Sequence, residues 1–283
     1  MKVFPRGVCS LLLLVLGGLS MNAAAEGEAP YSGAVGQNYP KEVFFGDTHL
    51  HTRNSADAWS MGNLNLTPGD AYRFAQGSPV LAHNGMQVQL RRPLDFLVVS
   101  DHAEYLGAFY RFNVNDSLIT KTDVGRQWQT YVEEGDLAKF FGAFVNSMRN
   151  PEEDPALPAA VRQTVWSGVA KTADRHNKPG VFTAFSGYEW TSMISGNNLH
   201  RVVVFKDDAD KVSQMIPFSG QDSLDPRDLW QALANYETAT GGEVLSIAHN
   251  GNLSNGMMFP DETVGGSPID EAYASLRARF ETV

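Results

Sequence analysis

The stretch FFGDTHLHT, residues 44–52, decides the fold. It is a short apolar run that closes on an aspartate and two histidines spaced two apart. In a β-strand, residues i and i+2 face the same side. A strand over Val43–Leu50 therefore puts Asp47, His49 and His51 on one face, and Phe44, Thr48 and Leu50 on the other. Two imidazoles leaving one strand end are well placed to hold a metal ion. Taken alone, the pair reads more simply as two hydrogen-bonded histidines in a core or loop, so the rest of the chain has to decide.

The same pattern recurs outward from that stretch. PLDFLVVSDHAEY (93–105), GVFTAFSGYEW (180–190), NNLHRVVVF (197–205) and GEVLSIAHNGN (242–252) are apolar strands that carry ligand-capable residues: Asp101 and His102, Glu189, His200, and His249. Counted with the first, they make about five parallel strands, over 42–50, 94–101, 181–189, 199–205 and 243–249. In a parallel barrel the strand C-termini gather at one face, where active sites are built. Alternation supports convergence: Val181, Thr183, Phe185, Gly187 and Glu189 share a face, as do Leu245, Ile247 and His249. His200 sides with Val202 and Val204, and Arg201 points the other way. Five of the seven histidines lie at or in strands. A purely structural account needs five separately satisfied histidines and a buried, unpaired Glu189, at a cost of roughly several kcal/mol. One metal cluster accounts for all of them. His83 and His176 read as surface residues.

The chain of 283 residues opens on Lys2 and Arg6, an apolar run from Val8 to Met21, and Ala23-Ala24-Ala25. This is the pattern of a secretory signal peptide over 1–25, cut after Ala25, and it implies a periplasmic or secreted protein. The run is well short of the roughly 20 residues of a spanning helix, so no membrane anchor is expected after cleavage. The leader holds the one cysteine, Cys9, which leaves a mature chain without disulfides. It also carries two of the 22 basic residues and none of the 32 acidic ones, so its removal takes the net charge from −10 to −12. With no basic stripe, nucleic acid is not an expected partner. Residues 26–40 read as a flexible leader, and TPGDAYRFAQG from Thr67 as a capped helix ending at Gly77. Asn84-Gly85 marks a hairpin. Residues 105–180 read as a helical insertion, with Val161, Val165, Val169 and Ala173 as one packing stripe.

DTHLHT…SADA, VVSDHAE, GYEW, NNLHRVVVF and AHNGN together resemble the PHP (polymerase and histidinol phosphatase) superfamily. More narrowly, they resemble its exported bacterial branch, the Domain of Unknown Function 3604 family. The resemblance implies an α/β fold, a distorted (β/α)7 TIM-like barrel holding two or three divalent ions of zinc, manganese or iron. It further implies that His49, His51, Asp57, His102, Glu189, His200 and His249 are metal ligands, with Glu189 bridging. Asn250 stands where the family's His-Pro-like motif has proline. Asp47 and Asp101 are then candidates to fix imidazole tautomers. His49, His51, Asp101, His102 and Glu189 form the implied catalytic set. Arg201 and Asn250 are candidates to contact a small anionic ester, although an outer-face surface charge is the simpler reading of Arg201.

The implied activity is hydrolysis of phosphate-type esters by metal-activated water. Sulfate esters obey the same logic. An amidohydrolase is the first rival, although it would bridge its metals with a lysine where Glu189 stands. A non-catalytic metal-binding envelope protein is the second rival. Toward the end, Ser267, Pro268 and Asp270 suggest the N-cap, N1 and N3 of another helix, with Ile269, Tyr273, Leu276 and Phe280 as its apolar stripe. FETV (280–283) reads as the start of a further strand. No Asp-x-His pair follows His249, although the family supplies one near the end of its barrel. Residues 41–283 are therefore expected to be the N-terminal part of a longer barrel, poorly stable and inactive alone.

Overall fold

A computed structural model describes residues 42–151 and 155–281. The signal peptide, Cys9 and the leader over 26–40 lie outside these residues. The elements run β1 (Gly46–Leu50), α1 (Ala56–Ser60), α2 (Pro68–Ala75), β2 (Val80–Leu81), β3 (Gln87–Val88), β4 (Phe96–Val99), then α3 (Ala108–Asn113), α4 (Ser117–Thr120), α5 (Asp123–Glu133), α6 (Leu137–Arg149) and α7 (Ala159–His176). They continue with β5 (Thr183–Trp190), β6 (Arg201–Phe205), α8 (Ala209–Val212), α9 (Pro226–Thr240), β7 (Val244–Ala248) and α10 (Glu271–Phe280).

Local chemistry explains most boundaries. Thr67 and Asp70 form a reciprocal capping box ahead of Pro68, which fits because the first turn lacks partners for its N–H groups. Asn84-Gly85 turns β2 into antiparallel β3, with Gly85 at φ +83°. The last helix starts later than its sequence suggests. Thr263 donates its N–H to the Ser267 carbonyl, and Pro268 bridges Glu262, so this segment closes on itself. Asp270 is the N-cap and accepts from the Tyr273 N–H at 2.7 Å.

The sheet is mixed α/β, a curled five-strand half-barrel in the order β1-β4-β5-β6-β7. The expectation of five parallel strands is corrected. β1, β4 and β5 are parallel, but β6 runs antiparallel to both β5 and β7. Parallel neighbours need a crossover of about a dozen residues or more. Between Trp190 and Arg201 the chain has only a short 3-10 turn over Ile194–Gly196, so it folds straight back. This reversal sets His200, just before β6, beside Glu189 near the end of β5.

The face that the helices cover packs Tyr188, Trp190, Val203 and Phe205 against Trp166 of α7, Leu229 and Trp230 of α9, and Tyr273 and Phe280 of α10. The inserted helices build an aromatic cluster around Phe109, Trp128 and Phe140, and the predicted Val161, Val165, Val169 and Ala173 stripe is buried. On the opposite face Val98, Phe185, Val204, Leu245 and Ile247 line an open hollow of about 580 Å³, and Val202 packs with them. These residues share the parity of Glu189, His200 and His249, as alternation predicts.

Candidate metal centre

The two histidines that open the chain's pattern are aimed by an irregularity in β1. Asp47 pairs with Leu97 and Leu50 with Val99, so three steps on one strand match two on the other. Such a bulge breaks alternation and re-aims side chains. Thr48 lines the inner hollow with Phe96 and Val98, whereas Leu50 packs outward with Tyr72 and Leu97. The expected shared face of Phe44, Thr48 and Leu50 is corrected accordingly. Asp57 enters from the first turn of α1. Glu189 is held by the backbone: its N–H donates to the Asp101 carbonyl at 3.0 Å, and its carbonyl accepts from Ala103 N–H at 2.8 Å.

Side chains converge from these supports. Glu189 Oε2 lies 2.9 Å from His51 Nε2, 3.3 Å from His49 Nε2 and 3.3 Å from His102 Nδ1. Glu189 Oε1 lies 3.1 Å from His200 Nδ1. Asp57 Oδ2 stands 3.0 Å from His51 Nδ1 and 3.7 Å from His102 Nε2. The ligand atoms form three overlapping groups, each within 4.8 Å: His49, His51 and Glu189; His51, Asp57 and His102; and His102, Glu189 and His200.

His200 Nε2 is buried in this cluster with no hydrogen-bond partner among the described residues. Buried polar atoms are rarely left so. His49 Nε2 and His51 Nε2 also face each other at 3.1 Å, which needs a proton on one of them or a cation beside both. A mixed imidazole and carboxylate set suits zinc, manganese or iron, so the residues fit a divalent metal.

The electrostatics point the same way. Burial pushes Glu189 up, but positive charge on His102 and hydrogen bonds from His200, His49 and His51 hold it well below the usual carboxylate range. Burial lowers His51, yet hydrogen bonds with Asp57 and Glu189 outweigh that and hold it at about 10. His102 is raised against its burial by Glu189 and Asp57, and His200 is lowered, chiefly by burial. The carboxylates demand positive charge in a buried space. Without metal, only protonated imidazole can supply it.

Six of the seven predicted ligands fall in the three groups, and His249 does not. Its ring stands at the edge, 5.0 Å from that of His49 and 5.5 Å from that of His200 between centroids, with Nδ1 at 3.2 Å from the Asn250 carbonyl. Asp101 is fully buried but spends its carboxylate on Thr52, accepting from the backbone N–H at 2.5 Å and from Oγ1 at 2.7 Å. It orients a loop, not an imidazole, and burial raises it to about 6. Asp47 is exposed and caps the His49 N–H at 2.8 Å, again not a ring.

Arg201 is not the surface charge of the simpler reading. It is 1% exposed, and its Nε donates to Glu281 Oε1 at 2.7 Å between the faces of Trp190 and Trp230. Asn250 is exposed, and its Oδ1 accepts from Asn252 N–H. His83 is exposed as expected, but His176 is half-buried and stacks on Tyr72 at 5.4 Å.

Sequence reasoning missed the hydroxyls that steer the rings. Thr191 Oγ1 lies 2.5 Å from His102 Nδ1, and Ser55 Oγ lies 3.2 Å from His51 Nδ1 while accepting from the His102 N–H. It also missed Glu104, fully buried, which accepts from Thr191 N–H and Gly220 N–H and is raised to about 7 by burial. In a linear chain these look like ordinary loop residues. Only their positions, within about a turn of strand ends, hint at a role.

A family model described as "Protein of unknown function (DUF3604)" matches residues 38–283. No curated protein and no solved structure matches the chain.

Proposed function

Because the chain belongs to the DUF3604 family of proteins of unknown function, whose description carries no activity, we propose a function from the site itself. The protein is a metal-dependent hydrolase of phosphate-type esters on small anionic molecules, exported to the periplasm or beyond. Its half-barrel is read as part of a PHP-type barrel. The observation that carries this reading is Glu189, a buried carboxylate ringed by the nitrogens of four histidines. Position 189 is also where an amidohydrolase would present lysine.

His49, His51, Asp57, His102, Glu189 and His200 would hold the ions, with Glu189, His51 and His102 each serving two groups. Two or three bound divalent ions would supply Lewis-acid activation of water and neutralise charge on the ester oxygens. The chain does the rest. Asp57, Thr191 and Ser55 fix ring orientations, a role worth about 10–100-fold in affinity or activity. His249 donates Nδ1–H to the Asn250 carbonyl, which leaves Nε2 as the base on a half-exposed ring at the edge of the cluster. On this reading that nitrogen would hold or pass a proton beside the bound ester.

The test is an ester panel, with elemental analysis of protein purified without chelator. An activated aryl phosphate should be hydrolysed with added Mn²⁺ or Zn²⁺, lost on EDTA treatment and abolished by His49→Ala. Preference for an aryl sulfate would change the substrate class within this reading. Equal rates for wild type and His49→Ala would replace it with a non-catalytic metal-binding protein, and amide cleavage alone with the amidohydrolase.

A further inference from the structure

A second cleft, of about 450 Å³, opens between the start of α2, the outer wall of α7 and the end of α3. None of the metal-cluster residues lines it. It gathers Arg53, Arg73, Arg111 and Arg175 around one space, with His176 at its edge, in a chain whose net charge is −10. Two of these cations are already paired, Arg73 with Asp70 and Arg111 with Asp116. The other two have no ion-pair partner among the described residues. Arg53 Cζ lies over the Tyr110 ring at 3.7 Å, its Nε is buried without a partner, and its Nη1 only brushes the Asn65 carbonyl at 3.5 Å. Arg175 has the Thr172 hydroxyl, at 2.7 Å.

The walls are kept open by small residues. Gly168 lies inside α7, where glycine costs about 1 kcal/mol against alanine, yet a Cβ there would meet nothing within 4 Å. Gly69, in the first turn of α2, faces the same space, where a helix N-terminus favours negative charge. Guanidinium forks match tetrahedral oxyanions in pairs of hydrogen bonds. The volume falls within the roughly 300–1,000 Å³ of small-molecule sites and is more than one bare anion fills.

We propose that this cleft is an accessory binding site for a small organic phosphate or sulfate, gripped by Arg53 and Arg175. Arg53 lies on the loop between His51 and Asp57, so an anion bound here braces two metal-ligand positions from behind. The site is independent of whether the metal centre is hydrolytic.

Calorimetric titration of the purified chain with inorganic phosphate and with sulfate, at constant ionic strength against chloride, tests it. Wild type should bind one equivalent saturably. The Arg53→Gln/Arg175→Gln variant should bind at least about tenfold more weakly, as expected for losing charged hydrogen bonds, and His49→Ala should bind as wild type. Gly168→Glu sets a carboxylate in the cleft from a helix position with free space, so it should fold, as its melting curve would report, and bind no anion. Absence of saturable binding in wild type would overturn the proposal. So would unchanged binding in folded Gly168→Glu, or loss of binding in His49→Ala, which would place the anion at the metal centre.

Discussion

Glu189 is a charged group in a buried space, with half-buried Asp57 at its edge, and the histidines around them answer that charge. The consequence is a pH dependence that metal removes. His51 is raised from an ordinary 6.5 to about 10, and His102 is raised as well. A raised histidine contributes stability that is fully present below its unfolded value and is lost as pH climbs through its folded one. Metal-free protein should therefore lose melting temperature steadily between about pH 6.5 and 10. Metal-loaded protein, whose ligand imidazoles are neutral, should not. Scanning calorimetry across this range checks it, and a flat metal-free profile refutes the protonated network.

Arg201 makes a second prediction at this scale. Its partner Glu281 is 4% exposed and is also bonded by Arg277 at 2.8 Å. Removing one member of a buried pair strands the other, at about 3–5 kcal/mol, whereas replacing both by apolar residues is close to neutral. Glu281→Leu should thus be strongly destabilised in urea, and Arg201→Met/Glu281→Leu should recover much of the loss, with metal content unchanged throughout. A substrate-binding Arg201 would instead lower activity at constant stability.

Among the elements, β5 carries the most constraint, because it is the strand where the sheet changes from parallel to antiparallel pairing. Gly187 lies two residues before Glu189 on the same face. A Cβ there would sit 2.4 Å from Val98 Cγ1 and 2.8 Å from the Val203 carbonyl, and the second of these is backbone that cannot move alone. Gly187→Ala is expected to cost about 1–3 kcal/mol, as overpacking does. It should also weaken metal retention on dialysis, because Glu189 moves with the strand. Wild-type stability and metal content in this variant would show the sheet to be more pliant than its spacing suggests. The capping box of α2, the Asn84-Gly85 hairpin and the α7 stripe were all legible in advance, since each rests on residues within a turn or two. The start of α10 was not: Ser267 and Pro268 imitate a cap, but Thr263, Asp261 and Glu262 claim that backbone first.

For the whole molecule, the centre ties the loop after β1 to α1, the end of β4, the end of β5 and the start of β6. A ligand that binds only this arrangement stabilises the fold by mass action, about 4 kcal/mol when free metal is 1,000 times its Kd. Stripping metal should lower the melting temperature by several degrees, and re-adding Zn²⁺ or Mn²⁺ should restore it. His51→Ala should remove that metal-dependent increment, since His51 serves two of the three ligand groups. An increment that survives in His51→Ala would mean that metal stabilises the chain elsewhere.

The seven-ligand set, six of which meet in space, followed from the family resemblance; alternation and strand-end polarity in the sequence already determined the shared inner face of Glu189, His200 and His249. Alternation and polarity are properties of one strand at a time, set by the pleat and by which residues follow it. Strand direction, the bulge in β1 and the destinations of Asp47, Asp101 and Arg201 were decided only by the tertiary structure. Whether a carboxylate turns to an imidazole, a backbone N–H or a buried arginine depends on which groups the rest of the chain delivers to its side. For Asp101 that group is Thr52, 49 residues away, and for Arg201 it is Glu281, 80 residues on. A pattern confined to neighbours in sequence holds no record of either.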